Sequence, residues 1–301
     1  MREYLELKSH YDDLDLGVLA IPPDGAVKAV IHISHGMCGS KERFIPFMEF
    51  MAANGVACVA HDHRGHGSSV RHMSDLGYMY DGGHKALVDD ISIVSGWAQS
   101  RFPDVRFYML GHSMGSLALM SYLRSHSHLP DGAILCGVPG YSPLSPYAFI
   151  VMSILCRVGL GHMRPKIVQK ITSDRYNHDF ASEGKQAWTC SDQEMRRAFA
   201  EDPFHNFRFT FNGCRALVGL MTDAYAHEEI AMRTDDMPIL MLSGEDDPCA
   251  GGRGGLVKAA CSLHEIGFRN VGIKTYPAMR HEILNEIGKE RVWQDITDYV
   301  V

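Results

Sequence analysis

The 301-residue sequence predicts an α/β protein, a mostly parallel central sheet flanked by helices, with a helical segment inserted after the sixth strand. Two observations carry this. From the N-terminus to Cys136, short β-branched or apolar runs ending in Gly, Asp or His alternate with longer amphipathic stretches, the rhythm of βα units around a parallel sheet. After Cys136 the rhythm stops for about one hundred residues and then resumes, a gap too long for a bare loop in a compact domain. The expected organisation is therefore core 1–137, helical insertion 138–236 and core 237–301.

Taken in order, Tyr4–Lys8 and Leu14–Ile21 alternate in polarity and are joined through Asp12-Asp13, which predicts an edge hairpin. Val27–Ile33, Val56–Ala60, Val105–Leu110 and Gly132–Cys136 read as strands. Ser40–Asn54, His84–Arg101 and Ser113–His126 read as helices between them, the first stopped by Asn54-Gly55. The stretch Gly137–Pro146 is rich in Gly, Pro and Ser and reads as a loop, and helical, aromatic-rich sequence then runs to Asp236. Pro238–Ser243 and Val271–Tyr276 are the last two strands, with helices at Gly254–Glu265 and Glu290–Val301.

Composition narrows the function. The chain is 46% apolar and 22% charged, which excludes a disordered, collagenous or coiled-coil protein. With 29 Lys and Arg against 36 Asp and Glu, a net charge of −7 and no basic run, a nucleic-acid surface is not expected. Acidic residues interrupt the first eight positions where a secretory signal needs an apolar core, so a cytoplasmic location is expected. The eight cysteines are scattered, form no C-x-x-C pair and several lie in strand-like runs, as buried reduced thiols would.

The most informative stretch is Val105–Ser116, where a strand runs into Gly111-His-Ser-Met-Gly115 and directly into a helical sequence. Gly-x-Ser-x-Gly in that context is a nucleophile elbow, with Ser113 projecting from a strained strand-to-helix turn. A serine hydroxyl needs a base to remove its proton, and the base needs an acid to fix its tautomer. In this architecture the acid and then the histidine follow the serine, on loops at strand C-terminal ends. Asp247 after the seventh strand and His281 after the eighth fill these roles; Glu245 and Asp246 compete with Asp247, and His264, inside a helix, competes less well with His281. The backbone N–H of Met114 and that of Met37, in the Gly-punctuated loop after Ile31–Ser34, are the candidate oxyanion donors. No metal and no cofactor is needed for this chemistry. A rival reading takes His61-Asp-His-Arg-Gly-His66 as an H-x-H-x-x-H metal motif, but Gly65 stands where the second metal's Asp ligand is needed.

With those residues assembled, the chain resembles the α/β-hydrolases of the monoacylglycerol lipase and lysophospholipase group, also classed with serine aminopeptidase-like hydrolases. The resemblance rests on five blocks in order: His35-Gly36 with Met37, Asp62-His-Arg-Gly-His-Gly-Ser68, Gly111–Gly115, Gly244-Glu-Asp-Asp247 and Arg280-His-Glu-Ile-Leu-Asn-Glu286. It implies Asp247 as the acid, because the family's acid falls three residues after that glycine. It also implies a structural turn at 61–66 and a helical cap formed by the insertion. Gly251-Gly-Arg-Gly-Gly255 departs from the pattern and leaves the start of the following helix open.

The implied reaction is cleavage of carboxylic esters through an acyl-enzyme, with monoacylglycerol or lysophospholipid-type lipids first, short-chain esters second and peptides third. The peptidase reading needs an acidic grip, for which Glu228, Glu229, Asp235 or Asp236 are candidates. A non-catalytic ligand-binding shell is the alternative of a different class. The expected partner is a small-molecule ester, probing no nucleic acid and touching a membrane only through the cap. Tyr147–Cys156, apolar all round but too short to span a bilayer, reads as a buried cap helix, an acyl-chain wall or an interfacial contact. Met152, Met163, Met221 and Met232 suit either an adaptable acyl pocket or ordinary core filling.

Overall fold

A computed structural model describes residues 1–126, 130–166, 175–226 and 237–301. Eight strands form one sheet: β1 (Glu3–Lys8), β2 (Asp15–Ile21), β3 (Ala29–Ser34), β4 (Val56–His61), β5 (Arg106–His112), β6 (Gly132–Cys136), β7 (Ile239–Gly244) and β8 (Val271–Tyr276). Their order is β1-β2-β4-β3-β5-β6-β7-β8. β1 pairs antiparallel with β2 and β2 with β4, and every later pairing is parallel. The predicted edge hairpin is thus present, and every predicted strand is found, shifted by no more than two residues.

The helices are α1 (Ile45–Ala53), α2 (Gly83–Arg101), α3 (Met114–Ser125), α4 (Ser145–Leu155), α5 (Gln193–Glu201), α6 (Phe211–Ala224), α7 (Gly252–Glu265) and α8 (Glu290–Val300) among the described residues. The predicted helix at 40–54 is divided: a 3-10 turn at Lys41–Phe44 precedes α1, which starts with Pro46 in its first turn, where a missing N–H costs nothing. The helix expected from Gly254 starts at Gly252, after Gly251 turns left-handed at φ 70°. Gly255 is required there, since a Cβ would lie 1.9 Å from the Ala250 carbonyl oxygen.

The central strands β3, β4 and β6 are buried throughout, because helices cover both faces of the sheet. On one face Leu87, Ile91 and Val94 of α2, Leu117 and Met120 of α3, Leu220 of α6 and Leu256 and Leu263 of α7 share one core with Val30, Val59 and Met109. On the other, Phe47 and Met48 of α1 and Val292, Trp293 and Ile296 of α8 pack on Ile31, Cys58 and Leu110. Each large side chain so buried contributes about 1.5–3 kcal/mol.

Between β6 and β7 lie α4, a π-turn at Cys156–Leu160, 3-10 turns at His178–Glu183 and Ala187–Thr189, α5 and α6. α6 closes this stretch by docking in the core, where Asn212 accepts from the Met79 N–H at 2.8 Å and donates to the Tyr80 carbonyl at 2.9 Å. α4 corrects the buried-helix reading. It rests on α6, but only Ser145 is buried; Tyr147 is 69%, Ile150 56% and Ile154 53% exposed. Met152 and Met221 pack partly buried against the core, Met163 is exposed, and Met232 lies outside the described residues. No helix among the described residues is long and apolar enough to cross a membrane.

Candidate active site

The turn between β5 and α3 is built around two glycines. A Cβ on Gly111 would meet the Gly115 carbonyl oxygen at 2.5 Å, and one on Gly115 would meet the Ser34 carbonyl oxygen at 2.1 Å. Strand and helix therefore approach more closely than any side chain permits, and the residue between them is forced to φ 54°, ψ −118°. That residue is Ser113, and such strain costs about 1–3 kcal/mol in a non-glycine residue. The turn is tied down by the Ser113 N–H donating to Cys136 O at 2.9 Å and by Ser116 Oγ donating to Gly111 O at 2.8 Å and Cys136 O at 2.9 Å.

Ser113 Oγ lies 2.8 Å from His281 Nε2, and His281 Nδ1 lies 2.9 Å from Asp247 Oδ2. Histidine and acid are both buried, whereas Ser113 is partly exposed. Asp247 also accepts from the Cys249 N–H at 2.8 Å, which orients the carboxylate toward the imidazole. Of its competitors, Glu245 is exposed and accepts from Thr275 Oγ1 at 3.0 Å, while Asp246 is exposed and its N–H donates to Met279 O. His264 is on the exposed side of α7, away from the serine. Gly244 permits the acid-bearing and histidine-bearing loops to touch, because a Cβ there would fall 2.0 Å from Met279 O.

Burial alone would pull the His281 imidazole down, but the charge of Asp247, its hydrogen bond and the nearby Glu282 outweigh it and raise the pKa above the ordinary 6.5. Burial likewise pushes Glu282 up, yet Arg43, paired with it at 2.8 Å, together with His112 and His281, holds it down at about 2. A buried carboxylate is thus kept ionised beside the histidine.

The loop after β3 approaches the serine through Gly36, whose Cβ would stand 3.0 Å from that of Ser113. His35 Nε2 accepts from the His63 N–H at 2.9 Å, and His66 Nε2 accepts from the Cys38 N–H at 3.3 Å, so the histidine-rich turn holds this loop on either side of Met37. The Met37 N–H donates to no acceptor among the described residues, and the Met114 N–H opens α3, where helical N–H groups have no partner within the helix. Asp62 and Arg64 of the same segment are also hydrogen-bonded, whereas His61 Nε2 and both ring nitrogens of His63 are buried with no hydrogen-bond partner among the described residues. Asp62 accepts from the Lys41 N–H at 2.8 Å, Lys41 Nζ at 2.6 Å and the Ser68 N–H at 2.8 Å, and the buried Arg64 donates to Asp90 at 2.8 Å. Among the described residues no group of three or more His, Cys, Asp or Glu is placed to hold a metal ion. The candidate acidic grip at Glu228, Glu229, Asp235 and Asp236 lies outside the described residues.

Sequence reasoning missed the wall above the histidine. Trp188, between β6 and β7, places its ring 5.0 Å from that of His281 at a 39° tilt. Arg280 and Glu282 flank His281 and were visible only as parts of a block. In the structure Arg280 pairs with Glu183 at 2.6 Å and Glu282 with Arg43. Nothing local in the sequence marks Trp188, since its neighbour is ninety-three positions away.

A strained serine after the fifth strand, an acid after the seventh and a histidine after the eighth, joined by hydrogen bonds at the C-terminal edge of this sheet, define an α/β-hydrolase. The chain belongs to the serine aminopeptidase, S33, family, whose model matches residues 25–288. It is 26% identical over 289 residues to the monoacylglycerol lipase of Mycolicibacterium smegmatis, covering 93% of this chain and 90% of that one. It is 24% identical over 278 residues to the monoglyceride lipase of Rattus norvegicus, covering 88% and 83%. Among solved structures, a thermostable carboxyl esterase from Bacillus coagulans superposes with a TM-score of 0.90 at 24% identity, covering 99% of this chain and 97% of that one. A soluble variant of monoglyceride lipase from Saccharomyces cerevisiae gives 0.76 at 18% identity, covering 100% and 96%.

Proposed function

We propose that the protein hydrolyses carboxylic esters through an acyl-enzyme, with monoacylglycerols as the favoured substrate class and lysophospholipid-type esters next. The observation that carries this is the continuous relay from Ser113 Oγ through His281 to Asp247 at 2.8 and 2.9 Å. His281 Nε2 takes the Ser113 proton as Oγ attacks the ester carbonyl, and Asp247 steadies the imidazolium. The Met37 and Met114 amides receive the developing oxyanion. His281 then protonates the departing alcohol, and water, deprotonated by the same ring, releases the acid from Ser113. No cofactor or metal enters these steps.

Two features support a lipid rather than a small soluble ester. The curated relatives named above are monoacylglycerol lipases aligned over most of their length. The exposed row Tyr147, Ile150, Val151 and Ile154 on α4, continued by Leu144 before it and Val158 in the π-turn after it, makes a solvent-facing apolar stripe that suits contact with a lipid surface. On this reading the 138–236 segment is a cap, anchored by α6 and carrying α4 outward. Eight free thiols fit work in the reducing cytoplasm.

The test is hydrolysis of an ester series of increasing acyl length by wild type and Ser113→Ala. Activity that rises toward long acyl chains and vanishes in the variant is the expected result. A maximum at short chains would overturn the lipid assignment, and near-normal turnover by the folded variant would overturn the serine mechanism.

A further inference from the structure

We propose that Trp188 is a specificity-determining residue that reads the alcohol half of the substrate, its indole N–H donating to a hydroxyl of a polyol such as glycerol. This rests on the ester-hydrolase reading and concerns the same site.

The placement of Trp188 is fixed from both sides. Arg280, just before His281, donates from Nη1 to the carbonyl of Ala187, just before Trp188, at 2.7 Å. The N–H of Glu282, just after His281, donates to the carbonyl of Thr189, just after Trp188, at 2.7 Å. The two tripeptides 187–189 and 280–282 are therefore held in register, centre on centre, and the indole is delivered onto the imidazole. Three further contacts secure the strap: the Ser191 N–H donates to Glu286 Oε1 at 2.7 Å, Ser191 Oγ donates to Glu286 Oε2, and Cys190 Sγ meets Asn285 O at 3.6 Å. Tyr176 packs on the indole with ring centroids 5.0 Å apart.

Within this tightly bonded assembly the indole Nε1 is buried and has no hydrogen-bond partner among the described residues. Its main-chain N–H is satisfied by Asn177 Oδ1 at 3.2 Å, so the unmet donor belongs to the ring alone. A buried N–H without an acceptor is costly, and indole nitrogens in such positions ordinarily find a partner. Nε1 is closed to water here, so an alcohol reaches it only by displacing part of its cover, and a hydroxyl of the substrate then supplies the acceptor. His281 must hand its proton from Nε2 to the leaving oxygen, which puts the alcohol beside the imidazole, and Trp188 is the aromatic ring from the inserted segment that lies against it. A simple alkyl alcohol brings no acceptor beyond the ester oxygen, whereas a polyol brings hydroxyls, and a site that bonds a hydroxyl discriminates against analogues lacking it.

The experiment compares a 1-monoacylglycerol with the methyl ester of the same fatty acid for wild type, Trp188→Phe and Trp188→Ala. Phe retains an aromatic wall and removes only the N–H. The expected result for Trp188→Phe is a rise in KM of about five- to ten-fold for the glycerol ester, with the methyl ester changed less than about two-fold. Trp188→Ala removes the wall and lowers kcat on both esters. Equal effects of Trp188→Phe on the two esters, or none on either, in an active wild type would overturn the role of Trp188 and leave the ester reading intact. A wild type inactive on both esters would overturn the two readings together.

Discussion

Gly115→Ala adds one methyl group where the backbones of α3 and β3 approach each other. The new Cβ would face the Ser34 carbonyl oxygen at 2.1 Å, its carbon at 2.6 Å and the His35 carbonyl oxygen at 2.7 Å. All three are backbone atoms, so no side-chain rotation relieves the clash, and α3 must retreat from β3. Restoring a contact of about 3.5 Å requires a shift of about 1.4 Å. Overpacking of this kind costs about 1–3 kcal/mol, and the upper end applies where backbone must move. At about 2–4 °C per kcal/mol for a chain of this size, Tm should fall by about 6–12 °C. Ser113 opens the same helix, and a misplacement of about 1 Å at the reacting centre costs on the order of 100-fold in rate. Thermal unfolding by circular dichroism and kcat/KM on one ester measure both effects. Gly96→Ala is the matched control. Gly96 is exposed in the interior of α2, with nothing within 4 Å of its Cβ position, so the same methyl group should stabilise the protein by about 0.5–1 kcal/mol. A Gly115→Ala protein with unchanged Tm and kcat/KM would refute the claim that this glycine sets the position of Ser113.

Asp247→Asn should lower kcat by about 10³- to 10⁴-fold through loss of the correct histidine tautomer, while Asp246→Asn stays near wild type; steady-state kinetics on the two variants separate them. Only neutral His281 can accept the serine proton, so wild-type kcat/KM should fall as pH drops through its raised pKa. In Asp247→Asn that acid limb should move to lower pH, because burial is left to act without the carboxylate. Stability should follow other histidines: burial lowers His61 to about 3 and His66 to about 4, against 6.5 for an ordinary imidazole. The unfolded chain then binds more protons over that interval, so their contribution is complete above about pH 6.5 and declines toward pH 4, which Tm measured across that range checks. Asp62→Ala removes one of the two carboxylates on the buried Lys41 ammonium, leaving Glu42 at 2.9 Å, and strips the acceptor from the Lys41 and Ser68 N–H groups, which should cost about 1–3 kcal/mol in urea unfolding.

The strands and the elbow were legible because their signals are local: β-branched runs between turns, and glycines two residues either side of a serine. The acid was legible only to within three adjacent carboxylates, since spacing does not say which one turns inward. In the fold, Asp246 gives its N–H to Met279 and only Asp247 reaches His281. The choice among buried helix, acyl-chain wall and interfacial contact for α4 stayed open because composition does not tell which side of an apolar helix has a neighbour. The histidine-rich turn posed the reverse problem. Its spacing suits a metal, whereas its bonds to the loop around Met37 run to His35 and Cys38, more than twenty positions upstream. Trp188 lies at the far end of this scale, where the contact exists only once two distant loops meet.

The paired tripeptides around Trp188 and His281 also limit how this enzyme can be changed. Trp188 and His281 are held as one piece, so a substitution that moves residues 187–189 displaces the imidazole as well. The outer side chains of α4 are exposed and take no part in this pairing. A library built on this protein would keep 187–189 and 280–282 as a single hereditary unit, since a change in either tripeptide is passed to the other.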